Sequence, residues 1–386
     1  MKIAYLGKMQ LSDVDLSYLL EAQKISDVTY VVEITPRYMR GPALSVHNLY
    51  GKSGLFKAVD VYPEFRKLGD FIDLDKFYVL NTTGRWWFLK SFWTNILLLI
   101  FLLRNGYDVL HLAWPPNIYE FILYIMRARM MLTVHDPFVH TAHDSFVVRL
   151  RRKMAFLLAS RLVILNKTQR KEFISYYKVS PDRVIDSRLS CYTYLNVVSP
   201  DTSSVPYGEK YILFAGRISP YKGIDTLLQA MDIVQEQCPD CKLILAGAGD
   251  YYFDVSSYIS KNNIEIRNRY IPDDEMVALV RESAFMVCPY TDATQSGVIM
   301  SAFAFSKPVI VSDVGGLPEM VVDDLYGCVV RDCNVENLAQ AIVAMWTAPE
   351  KVRLYSDNIK NDYINGQMSW KNVVINIQEQ YKRMCQ

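Results

Sequence analysis

Apolar and polar residues follow two alternating rhythms along the chain, short apolar runs and longer stretches with helical spacing. The runs are KIAYL, TYVVEIT, YDVLHLAW, RMMLTVHD and RLVILN in the first half, then YILFAG, KLILAG, IEIRNRYI, AFMVCPY and KPVIVSD. Runs of this kind are typical of strands buried on both faces of a parallel sheet. Helical patterns lie between them, as in the stripe of Ile224, Leu227, Leu228 and Met231. The alternation predicts an α/β fold with doubly wound sheets, and it occurs twice.

The segment VVSPDTSSVPYGEKY, from Val197 to Tyr211, separates these halves and has no apolar period. At 386 residues the chain exceeds what one hydrophobic core usually supports. We therefore predict two Rossmann-like domains, residues 1–198 and 207–366, with a C-terminal helix at about 367–386 that packs back on the first. The domains face each other across a cleft, and ligands are expected at the carboxyl ends of both sheets.

Charge is distributed unevenly, although the formal net charge is only +1. Residues 1–200 carry 26 Lys/Arg against 17 Asp/Glu, and the remainder carries 16 against 24. Eight Lys/Arg and no acidic residue lie between Arg149 and Lys171, interleaved with apolar side chains. This basic helix and the aromatic segment RWWFLKSFW at 85–93 favour an anionic membrane surface or a phosphorylated partner. The alternative is a solvated helix with its apolar side on the core. No nucleic-acid motif is present, so no nucleic-acid partner is expected.

Cysteine usage and the first strand indicate a reduced compartment. The seven cysteines are scattered singly except for Cys238 and Cys241, which lack a second pair at metal-binding spacing and are expected to form a turn. Met1 to Leu6 read as a buried strand and not as a signal peptide. The longest apolar segment, Ile96 to Leu103, is shorter than the roughly 20 residues of a membrane span. We expect a cytoplasmic protein, peripheral at the inner face of the membrane if it binds there.

The turn after YILFA carries the chemistry of a phosphate site. Gly216 lets the backbone approach a ligand closely, and Arg217 and Lys222 supply a planar fork and a point charge, the two cations suited to a diphosphate. The helix that follows adds the partial positive charge of its amino terminus. The alternative is that both cations are solvated surface charges around an ordinary turn.

Three further strand ends in the second half carry candidate ligand-binding groups. Gly247 and Gly249 follow KLILA, without the third glycine of a dinucleotide fingerprint, so no nicotinamide cofactor is expected. A helix is predicted at Val298 to Phe305, and the residues just before it offer hydroxyl, amide and backbone donors: Thr294, Gln295, Ser296 and Gly297. These donors could bind a diphosphate without a metal. Glu319 follows the turn at Gly315 and Gly316 and lies in the first turn of the next predicted helix. Because the helix dipole stabilises a carboxylate there, the role of Glu319 can be structural instead of ligand binding.

In the first half His135 and Asp136 directly follow the strand MMLTV. A histidine there can donate to a sugar hydroxyl or to charge that develops in a reaction. His111 lies inside a strand and is predicted to be a core histidine. His135, His140 and His143 lack a carboxylate or cysteine to complete a metal site, so no metal is expected.

The segments FAGRISPYKGIDTLL, LAGAGD and SAFAFSKPVIVSDVGGLPE resemble the C-terminal domain of retaining glycosyltransferases of sequence family 4, which have the GT-B fold. The resemblance covers residues 207–345 and is looser in the first half, where TVHD carries it. It implies transfer of a sugar from a nucleotide-diphosphate donor to an acceptor hydroxyl, with retained configuration and no metal or other cofactor. It also implies that Arg217 and Lys222 hold the donor diphosphate and that His135 lies near the transferred sugar.

Two positions depart from the family pattern. The two glutamates of its Glu-x7-Glu motif fall at Ala293 and Ser301, and the chain resembles a subset that has Thr-Gln-Ser-Gly there instead. Ribose binding would then come from elsewhere, such as the Ser301 hydroxyl or a water. The family's Gly-Gly loop corresponds to GKMQL, where only Gly7 remains. The candidate residues on the acceptor side are therefore Gly7 and Asp136.

These features lead to one main hypothesis and two alternatives. The main hypothesis is a retaining glycosyltransferase that docks on the membrane and extends a lipid-linked glycan in surface polysaccharide or glycoconjugate assembly. The missing glutamates motivate the first alternative, a catalytically silent GT-B subunit that binds a nucleotide sugar or a partner. The second is a nucleotide-sugar epimerase, which would convert the donor without an acceptor.

Overall fold

The chain divides into two α/β units, each built on a largely parallel sheet. The structure is a computed structural model that describes residues 1–138, 145–205 and 210–386. The first unit comprises Met1–Leu189 together with Trp370–Gln386, and the second comprises Ser190–Ser369. The second unit therefore begins eight residues before the end predicted for the first domain, residue 198. The reason is local, since the Ser190 hydroxyl donates to the Met368 carbonyl at 2.7 Å and the Cys191 thiol lies 3.6 Å from the Tyr363 carbonyl.

Fourteen strands form the two sheets within the described residues. They are β1 Lys2–Lys8, β2 Asp27–Ile34, β3 Gly54–Lys57, β4 Phe77–Asn81, β5 Val109–Leu112, β6 Met130–Val134, β7 Arg161–Ile164, β8 Val184–Asp186, β9 Tyr211–Ala215, β10 Lys242–Ala246, β11 Ile264–Arg267, β12 Met286–Cys288, β13 Val309–Ser312 and β14 Gly327–Val330. All ten predicted strands are present. The four additional strands, β3, β4, β8 and β14, are five residues or shorter.

Thirteen α-helices connect these strands in the described part of the chain. They are α1 Ser12–Ile25, α2 Ala58–Val61, α3 Trp87–Arg104, α4 Phe146–Leu158, α5 Arg170–Tyr177, α6 Ile224–Gln237, α7 Ser256–Ile259, α8 Asp273–Glu282, α9 Gly297–Ala304, α10 Leu317–Met320, α11 Val335–Trp346, α12 Pro349–Ile359 and α13 Trp370–Cys385. Tighter turns of helix include Ile118–Arg129 and Pro220–Lys222. The basic stretch from Arg149 to Lys171 is not one helix, because β7 lies between α4 and α5.

In the first unit the sheet has the order β3-β4-β2-β1-β5-β6-β7-β8, and only β3 runs antiparallel to its neighbour. The central strands are buried along nearly their whole length, which explains their continuous apolar sequences. Helix α13 belongs to this unit and packs on α1. The Tyr18 and Tyr381 hydroxyls lie 3.0 Å apart, and the Ser26 hydroxyl donates to the Gln378 side chain at 2.6 Å.

The second unit has the all-parallel sheet order β11-β10-β9-β12-β13-β14. Counted from β9, this is the order 3-2-1-4-5-6 of a Rossmann-type sheet. The chain winds outward from β9 in one direction and resumes at β12 in the other. Loops after these two adjacent strands therefore diverge and leave a crevice at the carboxyl ends, where doubly wound sheets bind ligands.

Helix α3 is longer than the apolar segment Ile96 to Leu103 suggests. Its 18 residues are the one described helix that is long and apolar enough to span a membrane by length and composition, and 33% of that window is buried in the fold. A core helix of a soluble protein passes the same test, so this finding is weak evidence for a span. The helix packs on the 118–129 helix and on the sheet.

Candidate functional site

The turn after β9 places two cations at the crevice of the second unit. Gly216 leaves the strand with φ +133°, Arg217 is exposed, and a short helix at Pro220–Lys222 leads to Gly223 with φ +62°. A methyl group added to Gly223 would lie 2.0 Å from the Pro289 carbonyl oxygen, so only glycine fits against the loop after β12. The β9 and β12 loops are in direct contact.

Lys222 is a buried cation with no carboxylate partner. Its residue is 8% exposed, and no salt bridge to it occurs among residues 1–138, 145–205 and 210–386. Its Nζ lies 3.6 Å from the centroid of the Tyr290 ring and 5.0 Å from that of Tyr221. Burial, with a smaller contribution from the Arg217 charge, lowers the pKa of Lys222 to about 8. An anion bound beside Nζ would reverse both effects, which makes this lysine suited to a phosphate.

The loop after β10 packs directly on the β9 turn. A methyl group on Gly247 would lie 1.9 Å from the Gly216 carbonyl oxygen. The Asn268 amide donates to the Gly249 carbonyl at 3.0 Å, and its oxygen accepts from the Gly249 N–H at 3.1 Å. Gly247 and Gly249 thus border the predicted phosphate turn, and close backbone packing explains why they are glycines.

The loop after β12 runs into the amino terminus of α9. Ser296 precedes this helix, and its side chain makes no capping hydrogen bond to the helix amides. Its hydroxyl instead donates to the Tyr290 hydroxyl at 3.4 Å. Thr294 and Gln295 are half-buried beside it, and a methyl group added to Gly297 would lie 2.7 Å from the Tyr192 hydroxyl. The helix begins at Gly297, one residue before the prediction.

Ser301 and Glu319 have different surroundings. The Ser301 hydroxyl donates to the Gly297 carbonyl at 3.1 Å, so it has only its oxygen lone pairs to offer a ribose. Glu319 is exposed on the four-residue helix α10. The turn before α10 contacts the β12 loop, because the Gly316 N–H donates to the Ala293 carbonyl at 3.2 Å. Loops after β9, β10, β12 and β13 thus form one continuous set of contacts.

His135 lies at the end of β6 in the first unit. Its ring hydrogen-bonds the Ala113 carbonyl and stacks on Trp114 at a centroid distance of 6.1 Å, whereas Nε2 is buried and has no hydrogen-bond partner among the described residues. Burial lowers the pKa of His135 to about 4, so the ring is neutral near pH 7. Because a carbonyl can only accept, the ring proton lies on Nδ1 and Nε2 carries a lone pair. Nε2 of His135 can therefore accept a hydrogen bond from a hydroxyl group. The prediction from the sequence was that His135 donates one.

The other first-unit candidates have structural explanations. A methyl group on Gly7 would lie 2.0 Å from Asp15 Oδ2, so Gly7 makes room for a buried carboxylate and not for an acceptor. Asp136 is half-buried, and its backbone carbonyl accepts from Arg152. His111 is a core histidine as predicted, with Nδ1 bonded to the Tyr381 hydroxyl and Nε2 2.7 Å from Thr133 Oγ1.

Two features at strand ends are absent from the predicted site. Tyr290 contacts Lys222 through its ring and Ser296 through its hydroxyl. In the first unit the Lys8 ammonium bonds both Glu33 and Glu120, and all three residues are buried. The sequence does carry a signal for this buried ion-pair cluster. Lys8 and Glu33 are charged residues within apolar strands, and Asn117 and Glu120 form the N-cap pattern Asn-x-x-Glu.

No metal site is found in the described residues, where no group of three or more His, Cys, Asp or Glu side chains has suitable geometry. His140 and His143 lie outside the described residues. The seven cysteines all lie in the described residues and none of them forms a disulfide bond, and the Cys241 N–H donates to the Cys238 carbonyl at 3.0 Å in the predicted turn.

Sequence comparison finds a family match within the second unit. Residues 209–348 match the family of glycosyl transferases group 1. An uncharacterized glycosyltransferase of Methanocaldococcus jannaschii is 29% identical over 175 residues, which cover 45% of this chain. The alignment spans 48% of that relative, so the chain matches about half of its length.

Structural comparison extends over the whole chain. Sucrose-phosphate synthase from Thermosynechococcus elongatus aligns with a TM-score of 0.70 at 15% identity, over 100% of this chain and 99% of that one. HepE from Anabaena in complex with UDP aligns with a TM-score of 0.63 at 17% identity, over 99% of both chains. At these identities the similarity shows the fold alone, and it confirms the predicted GT-B class.

Proposed function

We propose that the chain is a glycosyltransferase that moves a sugar from a nucleotide-diphosphate donor to a hydroxyl group, because residues 209–348 match the glycosyl transferases group 1 family. The acceptor in this proposal is a lipid-linked glycan, and the product enters surface polysaccharide or glycoconjugate assembly. HepE, which shares the fold, has been solved with UDP and with UDP-glucose. UDP-sugars are therefore the first donors to test.

One observation carries the proposal: a buried lysine without a carboxylate partner lies in the crevice of the sheet. A bare ammonium in a mostly buried site costs free energy unless an anion joins it. Arg217, five residues earlier, adds a second cation, and the uncapped amino terminus of α9 adds backbone donors. A diphosphate satisfies all three groups.

Catalysis follows from the same cations. As the bond between the sugar and the diphosphate breaks, negative charge accumulates on the leaving oxygen, and Arg217 and Lys222 stabilise it. We propose that the acceptor attacks from the face of the departing diphosphate, which retains the anomeric configuration. His135 Nε2 accepts a hydrogen bond from a sugar hydroxyl. The two cations supply the charge that a divalent metal supplies elsewhere, so the proposed reaction needs no metal.

The absent glutamates are consistent with this role. At their positions stand Ala293, which is buried, and Ser301, whose proton is bonded to Gly297. In the proposal the Thr-Gln-Ser-Gly segment takes over, with the backbone amides of Gln295, Ser296 and Gly297 directed to the donor phosphates or sugar. Tyr290 supports this segment by its contact with Ser296.

A second part of the proposal concerns the membrane. Three neighbouring elements of the first unit, α3, the 118–129 helix and α4, expose large apolar side chains: Leu89, Phe92, Trp93, Ile100, Leu103, Ile118, Phe121, Ile125, Phe146, Val147, Leu150, Met154 and Leu157. Residues 85–104 and 146–158 contain seven Lys/Arg and no Asp/Glu. Glu120, the acidic residue of the 118–129 helix, is buried beside Lys8. Exposed aromatic and apolar residues among cations suit a peripheral contact with anionic lipid.

Vesicle sedimentation tests the membrane proposal. The protein is expected to bind vesicles containing phosphatidylglycerol at low salt and to bind phosphatidylcholine vesicles weakly. The double substitution Trp93→Glu and Phe146→Glu should abolish binding, because the two side chains are 59% and 70% exposed. Leu354→Glu in the second unit is the matched control, at 55% exposure. Equal binding by the double variant and the control would rule out this surface.

The activity is tested by a thermal-shift screen of nucleoside diphosphates and their sugars in the presence of EDTA. One nucleotide should raise the melting temperature selectively, and its sugar should be hydrolysed slowly without acceptor. The double substitution Arg217→Ala and Lys222→Ala should remove both effects while the far-UV circular dichroism is unchanged. No shift with any nucleotide would contradict the proposal, and conversion of the donor to an isomeric sugar would identify an epimerase.

A further inference from the structure

Lys222 is held by a single aromatic side chain from another loop. Tyr290 follows β12, is 1% exposed, and places its ring centroid 3.6 Å from Lys222 Nζ. The Tyr221 ring meets the Tyr290 ring edge-on at 6.2 Å, and its centroid lies 5.0 Å from the same Nζ. At this distance a desolvated ammonium is attracted to the ring face.

Tyr290 is itself fixed at three points. Its hydroxyl accepts from Ser296 at 3.4 Å and hydrogen-bonds the buried Cys288 side chain. Its backbone carbonyl accepts from the Ser312 hydroxyl at the end of β13. The residue therefore links the β9 turn, the start of α9 and the end of β13. Core filling alone requires none of these hydrogen bonds.

We propose that Tyr290 is a positioning residue for the donor diphosphate, holding the Lys222 ammonium in register with the backbone amides at the start of α9. This inference rests on the proposed function and adds a residue to it. A free lysine side chain loses rotamer entropy when it is ordered. By ordering Lys222 before the ligand arrives, Tyr290 reduces that cost at binding.

Calorimetric titration with UDP gives the first test, on wild type, Tyr290→Phe, Tyr290→Leu, Lys222→Met and the double variant Tyr290→Leu with Lys222→Met. Tyr290→Leu should weaken UDP binding roughly 10- to 30-fold, the equivalent of a desolvated cation–π contact. Tyr290→Phe keeps the ring and should weaken UDP binding by less than about threefold. Binding by the double variant should equal that of Lys222→Met, because Tyr290 acts through the lysine.

A structural role would give a different pattern. Tyr326→Leu removes another buried tyrosine of the same unit, 2% exposed, and should leave UDP affinity unchanged. Additive effects in the double variant, or unchanged affinity in Tyr290→Leu, would overturn the inference. If Tyr290→Leu fails to fold, Tyr290→Met carries the same test, since the unbranched thioether fills much of the space.

Chemical labelling tests the positioning without a nucleotide. Acetic anhydride should modify Lys222 several-fold faster in Tyr290→Leu than in wild type, with exposed Lys360 of the same molecule as internal reference. Equal labelling would show that Tyr290 does not hold the lysine. If wild type binds none of UDP, GDP and ADP while labelling still differs, the proposed function fails and the positioning contact stands.

Discussion

Replacing Lys222 by methionine should stabilise the fold near pH 7 and abolish activity. The lysine is buried, and no acidic side chain of the described chain forms a salt bridge with it. Methionine has nearly the same length and no charge to desolvate. It also makes favourable contacts with aromatic rings such as Tyr290. The substitution thus separates the cost of the charge in the fold from its use in the reaction.

The size of the effect follows from the pKa of Lys222, which burial lowers from 10.5 to about 8. Each pKa unit corresponds to about 1.4 kcal/mol, so the charged form costs about 3 kcal/mol in the folded state. We therefore expect a gain of up to about 3 kcal/mol for Lys222→Met at pH 7. Loss of a donor to the leaving group should lower kcat by about 10²- to 10³-fold.

The pH dependence has a definite sign. Between pH 8 and 10.5 the unfolded chain keeps the lysine proton and the folded protein releases it, so wild-type stability from this group rises with pH. The advantage of Lys222→Met should therefore be largest below pH 8 and vanish near pH 10.5. Urea denaturation at pH 7 and pH 10 measures it, with Lys360→Met as an exposed control. A variant that is less stable than wild type at pH 7, or a gain independent of pH, would refute the reasoning.

Three further predictions concern the pH profile of the reaction, the buried Lys8 and the close packing of Gly247. The pH profile of kcat/KM should fall above about pH 8 as Lys222 loses its proton, and below about pH 4 as His135 gains one; Lys222→Arg should move the alkaline limb upward and leave the acid limb in place. Lys8→Met should lower the free energy of unfolding by about 3 to 5 kcal/mol at pH 7, since it leaves two buried carboxylates unpaired, and by less at acidic pH, because burial raises the pKa of Glu120 and favours its neutral form, as measured by denaturant titration. Gly247→Ala should weaken UDP binding more than about tenfold in calorimetry by displacing the Gly216 carbonyl, whereas Gly51→Ala, whose methyl group meets open space, should have no effect; normal binding by Gly247→Ala would show that the turn can yield.

Much of the fold was predictable because its strands are buried on both faces. Most of the ten predicted strands are nearly continuous apolar runs, with IEIRNRYI as the exception, and position in a doubly wound sheet then assigns function to the loops that follow. The four additional strands lie at or beside a sheet edge. Strands there are covered less completely than central strands, so their sequences carry a weaker pattern.

The parts of the site that the sequence did not predict depend on contacts between distant residues. Tyr290 looks like a core aromatic until the fold brings it to Lys222, 68 residues earlier in the chain. Lys8 interrupts an apolar strand, and its partner Glu120 lies 112 residues away. Gly7 was assigned to the acceptor side by the family resemblance alone, whereas the Asp15 carboxylate occupies the space beside it. Local pattern predicts the loops, and tertiary contacts determine what each side chain does there.

The placement of α13 has a consequence for biosynthesis. The first unit is made from both ends of the chain, with Ser190–Ser369 inserted between its parts. On the ribosome, the eight-stranded sheet must wait for the whole inserted unit to be translated before Trp370–Cys385 can cover it. Until then Tyr18 and His111 lack their partner Tyr381, and apolar surface on α1 stays open to chaperones. The inserted unit is continuous in sequence and can fold first, so we expect Ser190–Ser369 to fold in the nascent chain before the first unit is closed.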